Sequence, residues 1–177
     1  SILFVGIFLI QHIFERVVGR PETFPYWFAA IALLAASSSY VNARLVRRLG
    51  MGMLTNIAFR TQVGLSIAIL LVVGLGSFDG GFGLFCFLFW MFSIFFQAGL
   101  TMGNLTALAM EPVGHIAGTA ASLISAIATI GSVFLAAIVG QFFDGTPIAM
   151  IVGITLFASF GAVSSHRLKR YERGSEL

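Results

Sequence analysis

Charged residues are scarce in this sequence: Lys, Arg, Asp and Glu make up only 10% of its 177 residues. A soluble domain is about a quarter charged, and so small a polar fraction does not cover the surface of a water-soluble fold of this length. Hydrophobic residues make up 58% of the chain, and the mean hydropathy is +0.99. These values indicate that lipid is the solvent for most of the chain.

Cysteine is nearly absent as well, because Cys86 is the only one and it lies within an apolar run. The sequence therefore predicts neither a disulfide framework nor a thiolate metal site. It also lacks a glycine-rich phosphate loop, a nucleophile elbow and an HExxH pattern, so we predict no enzymatic activity, metal or cofactor. His12, Glu15 and Arg16 are spaced to share one helix face, but they are too few to bind a metal. We interpret them as an ion-pair cluster at the outer surface.

Six apolar segments separated by short polar stretches predict an all-α membrane protein, a bundle of six transmembrane helices. We place these spans at residues 1–14, 24–40, 53–75, 82–102, 116–139 and 148–164. The first is shorter than the roughly 20 residues that cross a bilayer, so it is interpreted as a truncated helix. The predicted organisation is a transmembrane bundle at 1–165 followed by a cytoplasmic tail at 166–177.

Basic residues divide unequally between the two sides of this bundle. One side receives most of them, from the segment NARLVRRLG and from the tail: Arg44, Arg47, Arg48, Arg167, Lys169, Arg170 and Arg173. The other side receives Arg16 and Arg20. Because cytoplasmic loops of membrane proteins carry an excess of Lys and Arg, we predict a multi-pass protein of the inner (plasma) membrane with a cytoplasmic C-terminus. Clustering beside apolar runs also argues against a nucleic-acid partner.

Two strings in this pattern resemble a known family. NARLVRRLG stands between the second and third spans, and GNLTALAMEPVGHIAGTAASLISA joins the fourth to the fifth. Together they resemble the C-terminal half of the Bcr/CflA-type drug-resistance transporters of the major facilitator superfamily, with the likeness covering nearly the whole chain. The second string carries it at Asn104, Ala107, Glu111, Pro112, Ala117, Gly118, Thr119 and Ala120. After RRLG the family usually has further basic residues, where this sequence has MGML.

The resemblance implies a secondary transporter made of two six-helix halves, with the substrate path between them and alternating access by rocking. It implies that the partner of this chain is an N-terminal six-helix half, and that a drug or other small metabolite moves outwards against protons. By the same likeness the first, second, fourth and fifth spans line the path, and the third and sixth face lipid. The alternative is a stand-alone membrane scaffold or assembly protein without transport activity.

Candidate substrate-binding residues lie in the fourth and fifth spans. Phenylalanines recur at helical spacing in the fourth span, with Trp90 and Gln97 nearby. Aromatic faces with one polar group suit a flat lipophilic cation, although most Phe residues in membrane helices pack together or meet lipid. In the fifth span, small residues from Gly118 to Ser132 favour close packing or a face that slides against the other half. The predicted binding residues are Gln97, Trp90, Phe89, Phe96, Ser122 and Ser125.

Candidate gating residues lie on the predicted cytoplasmic side; they are Arg44, Arg47, Arg48, Glu111 and Asn104. Glu111 precedes the fifth span, where a carboxylate favours the positive end of the helix dipole. The alternative is a gate in which Glu111 pairs with one of the three arginines in a single conformation.

Overall fold

The computed structural model describes residues 24–76, 80–142 and 147–174, and every regular element in these ranges is helical. The α-helices are α1 Phe24–Leu49, α2 Met51–Gly74, α3 Gly80–Met110, α4 Ala117–Gln141 and α5 Ile148–Gly174, with the 3-10 helix η1 Glu111–Ile116 between α3 and α4. All five α-helices are long and apolar enough to cross a membrane. The prediction of an all-α, multi-pass membrane protein is confirmed for these helices. The first predicted span, with His12, Glu15 and Arg16, lies outside the described residues.

Helices α2 and α3 lie at the centre of the arrangement. Both α1 and α2 pack along α3, α5 packs along α2, and α4 rests more lightly on α3 and α5. Most of the core comes from α3 and α5, whose buried side chains are Phe87, Trp90, Met91, Ile94, Met150, Ile151, Ile154 and Ala158. The core is therefore built mainly by α3 and α5, the two helices that pack most extensively on α2.

The predicted basic loop NARLVRRLG is helical, which corrects the predicted boundaries of the second and third spans. Helix α1 continues to Leu49, α2 begins at Met51, and Gly50 alone joins them with a φ of 79°. This positive φ is readily adopted by glycine, which has no Cβ. The segment contains no proline, and Arg47 and Arg48 lie in the last turn, where cations interact favourably with the helix dipole.

Two other helices extend further than predicted. Helix α3 continues to Met110 rather than ending near residue 102, so Asn104 lies within a helix. Helix α5 continues to Gly174, through most of the predicted tail. Charged residues such as Lys and Arg are good helix formers, so a change from apolar to charged sequence does not end a helix. The ends of the apolar segments therefore do not coincide with the ends of the helices.

Glycines mark three places where neighbouring helices approach closely. A Cβ at Gly153 would lie 2.9 Å from the Val139 side chain, and one at Gly161 would lie 2.7 Å from the Phe59 ring. A Cβ at Gly99 would clash with Ser38 Oγ. Small residues let membrane helices pack backbone to backbone. By contrast, Gly118 and Gly131 of the predicted small-residue stripe have no such neighbour.

Candidate functional site

A cavity of about 610 Å³ lies between α2, α3, α4 and α5. Small-molecule sites commonly measure about 300–1,000 Å³, so this volume suits a metabolite or drug. Helix α3 and the middle of α4 form two facing walls, and Phe59, Phe157 and Phe160 from α2 and α5 complete the lining. None of the described residues that line the cavity carries a charge.

Helix α4 packs against the bundle over only part of its length, and its unpacked middle part forms one wall of the cavity. Near its C-terminal end, Ala136 is buried and Val139 lies against Gly153 of α5. Between Ser122 and Ile130, in contrast, α4 has no buried residue. Ser125, Thr129 and Ser132 all line the cavity. Their spacing of four and three residues places them on one face of the helix.

On the opposite wall, Gln97 is held in place by its own helix. It is 6% exposed, and its Nε2 donates a hydrogen bond of 3.2 Å to Thr101 Oγ1. Thr101 Oγ1 in turn donates to the Gln97 carbonyl oxygen at 2.9 Å. The Gln97 carboxamide oxygen accepts no hydrogen bond from the described residues. It is therefore available to a molecule in the cavity.

Among the predicted binding residues, the structure brings Gln97 and Ser125 together at the cavity. Phe89 is 49% exposed, and Ser122 is exposed and donates its hydroxyl to the Thr119 carbonyl oxygen. Phe96 packs against Phe92 with ring centroids 5.4 Å apart and does not line the cavity. The aromatic stripe of the fourth span therefore points away from this cavity, because its rings occupy other faces of α3.

Trp90 also lies away from the cavity, in the packed interface between α2 and α3. Its side chain is 2% exposed, and its indole Nε1 donates a hydrogen bond of 3.0 Å to Ser66 Oγ. Ser93 Oγ donates to Gln62 Oε1 at 3.2 Å, and Gln62 Nε2 donates to Ser66 Oγ at 3.4 Å. These four side chains form a buried polar cluster that joins the two helices.

Sequence reasoning missed Gln62 and Ser66, although the sequence carries a signal for them. Both are polar residues inside an apolar span, and they are four residues apart. Residues at this spacing lie on the same helix face. Polar side chains in membrane helices commonly form hydrogen bonds across helix interfaces. The pair therefore marks the face of α2 that packs against α3.

The predicted gating residues occupy two separate environments. Asn104 is buried and pairs with Asn42 across the interface of α3 and α1, with Asn104 Nδ2 donating to Asn42 Oδ1 at 2.8 Å. Arg44 lies 4.7 Å from the Tyr40 ring centroid, in a cation–π contact. Within the described part of the chain, no ion pair joins Glu111 to Arg44, Arg47 or Arg48. The gate thus remains a prediction, and Asn104 has a clear role in helix packing.

Thr55 carries a buried hydroxyl whose Oγ1 has no hydrogen-bond partner among the described residues. Leaving such a group unpaired costs about 1–3 kcal/mol. We therefore expect Thr55→Val to raise the free energy of unfolding by about 1 kcal/mol, as measured by titration with sodium dodecyl sulfate in mixed micelles. Thr155→Val is the control, because that hydroxyl donates to the Ile151 carbonyl oxygen at 2.7 Å. Destabilisation by Thr55→Val would show that its hydroxyl is paired.

Comparison with protein-family models, with curated proteins and with solved structures finds no match to this chain.

Proposed function

We propose that this chain forms one half of a secondary transporter that moves small molecules across a membrane. The observation that carries the proposal is the cavity among four helices of membrane-spanning length, with amide, hydroxyl and phenyl groups in its lining. Ligand sites in helical membrane proteins combine a largely apolar wall with a few polar groups that orient the ligand. A membrane scaffold without transport activity does not require such a cavity.

The family resemblance agrees with part of this arrangement. It assigns the fourth and fifth predicted spans to the substrate path, and these spans, now α3 and α4, supply most of the cavity lining. It assigns the third and sixth spans to the lipid face, yet Phe59 of α2 and Phe157 of α5 also line the cavity. The proposed site therefore extends into this half, beyond the helices that would face the other half.

Efflux of drugs or metabolites in exchange for protons is the more detailed form of the proposal. No described lining residue can gain or lose a proton near neutral pH. We therefore assign the cavity to the substrate, and we assign proton binding to groups elsewhere, such as those of a second six-helix half. The distribution of basic residues supports placing the C-terminus in the cytoplasm, and the proposal places the protein in the plasma membrane.

A membrane scaffold is the second candidate, and one observation favours it. Helix α4 exposes large apolar side chains along its length, including Leu123, Ile127, Ile130 and Phe134. Such a helix can pack against lipid or against a partner helix through van der Waals contact. Substrate movement separates the two candidates, because a scaffold gives no flux under any condition.

Gln97→Leu tests the proposed site. In proteoliposomes that contain this chain together with the second half, we expect the apparent affinity for substrate to fall about fivefold to tenfold, because a buried hydrogen bond to the ligand is lost. Initial rates of uptake across a range of substrate concentrations measure the change. Gln141→Leu is the matched control, since Gln141 is exposed at the end of α4 and lies outside the cavity. Unchanged affinity and substrate range in Gln97→Leu would remove Gln97 from the site.

A further inference from the structure

The lining of the cavity also indicates which class of molecule it accepts. We infer that the cavity binds uncharged amphiphiles, with hydroxyl or amide groups along one edge and a ring or alkyl face along the other. This inference rests on the proposed function for its link to transport, whereas binding itself can be measured without transport. It replaces the lipophilic cation that the aromatic stripe of the sequence had predicted.

The described lining of the cavity contains no charged side chain. Glu111 and Arg60 are the described charged residues nearest in sequence to lining positions, and neither lines the cavity. A charged molecule that leaves water loses its hydration, and a buried charge is tolerated only where a partner compensates for that loss. Cation–π attraction to a phenyl ring is small beside the cost of burying an unpaired charge. Cations and anions are therefore both disfavoured.

The hydroxyl groups of α4 that line the cavity lack hydrogen-bond partners within the described part of the chain. Ser and Thr side chains in helices often donate to a carbonyl oxygen of the preceding turn, as Thr106 does to Met102 and Thr155 to Ile151. Ser125, Thr129 and Ser132 make no such bond, nor any other hydrogen bond within the described part of the chain. Their three hydroxyls are therefore free to donate to a ligand and to accept from it.

The lining of the cavity is divided between polar and apolar walls. The hydroxyls of α4 form a strip on one wall, and the free carboxamide oxygen of Gln97 lies on α3. Phe59, Phe157 and Phe160 supply the rings contributed by α2 and α5. A molecule with one hydroxyl-bearing edge and one apolar face satisfies both surfaces. A purely apolar molecule would leave the strip of hydroxyls without partners.

Two fluorescent probes that share a dansyl ring and differ in the end group, a hydroxyl or a permanent cation, test the inference. N-(2-hydroxyethyl)dansylamide is uncharged and carries a hydroxyl, whereas N-(2-trimethylammonioethyl)dansylamide carries the same ring and a permanent cation. Each is titrated against the 177-residue chain in nanodiscs of phosphatidylcholine, with the signal of empty nanodiscs subtracted. We expect the hydroxyl probe to bind at least tenfold more tightly. Equal or tighter binding of the cationic probe overturns the inference, as does a lack of specific binding of both probes.

A matched pair of triple variants then locates the hydroxyls that matter. S125A/T129V/S132A removes the free hydroxyls of α4 and should weaken binding of the hydroxyl probe at least fivefold. S37A/T155V/S159A is the control, because each of its hydroxyls donates to a backbone carbonyl oxygen of its own helix and lies outside the cavity. Circular dichroism and size-exclusion chromatography confirm that both variants are folded. Equal losses in the two variants overturn the assignment to α4.

These experiments distinguish a failure of the inference about binding from a failure of the proposed transport function. Selective binding of the hydroxyl probe without any substrate flux would defeat the proposed function and leave the inference intact. Transport of both probes at equal rates would defeat the inference and leave the proposed function intact.

Discussion

Trp90→Ala is expected to lower the free energy of unfolding by about 3–5 kcal/mol, which is typical of removing a fully buried aromatic side chain. Trp90 packs beside Phe87 in the core, with ring centroids 6.3 Å apart, and its indole donates to Ser66. Truncation leaves a cavity between α2 and α3 and removes a hydrogen bond of the buried polar cluster. Unfolding by sodium dodecyl sulfate, followed by loss of ellipticity, measures the change.

Phe89→Ala is the matched control for this variant. Phe89 is the neighbouring residue on α3, and it is 49% exposed. Its replacement should change the free energy of unfolding by less than about 0.5 kcal/mol. If Trp90→Ala instead retains full stability and loses substrate affinity, Trp90 belongs to the binding site and our assignment of it to the core is wrong.

Gly99→Leu is expected to separate α1 from α3 and to destabilise the bundle by about 2–3 kcal/mol. Ser38 leaves no room for a side chain at this position, and Ser38 is itself buried. The displacement would also stretch the hydrogen bonds between Asn42 and Asn104, which join the same two helices. A double-mutant cycle with Asn104→Leu measures this coupling, since the two losses should not add.

The next turn of the same helix provides the control. Gly103 has no atom of another residue near the position of its missing Cβ. Gly103→Leu should therefore be neutral or slightly stabilising, since leucine has a higher helix propensity than glycine by about 0.8 kcal/mol. Equal destabilisation by the two substitutions would indicate a general effect of added bulk on α3 instead of a specific contact with Ser38.

The sequence predicts the number and approximate position of the five described helices because a bilayer requires long apolar runs. It does not predict where those helices end. A helix ends where a residue interrupts its backbone geometry. Between residues 40 and 53, only Gly50 interrupts the helix. The change from apolar to basic residues in that segment is a change in hydropathy, and the helix continues through it.

Helix faces were harder to predict than helix positions, for a reason that is specific to membrane proteins. In a soluble protein the buried face is the apolar one, but here nearly every position is apolar on every face. Aromatic side chains such as Phe89 and Trp90 are stable both in lipid and in a protein core. Composition therefore does not tell which of the two is buried. Polar residues are a better guide than aromatic ones: of the three that the sequence predicts to bind substrate, Gln97 and Ser125 line the cavity and Ser122 does not.

The joint at Gly50 has a consequence for how the protein is made. It connects α1 directly to α2, yet these two helices make few contacts with each other, and both pack on α3. Asn42 and Gln62 find their interhelical partners, Asn104 and Ser93, on α3 as well. Asn42 and the Gln62 carboxamide oxygen therefore lack these partners until α3 is in place, whereas Gln62 Nε2 already has Ser66 Oγ within α2. Neighbours in sequence are thus not the main neighbours in the bundle, because α1 packs chiefly on α3, and α2 packs on α3 and α5.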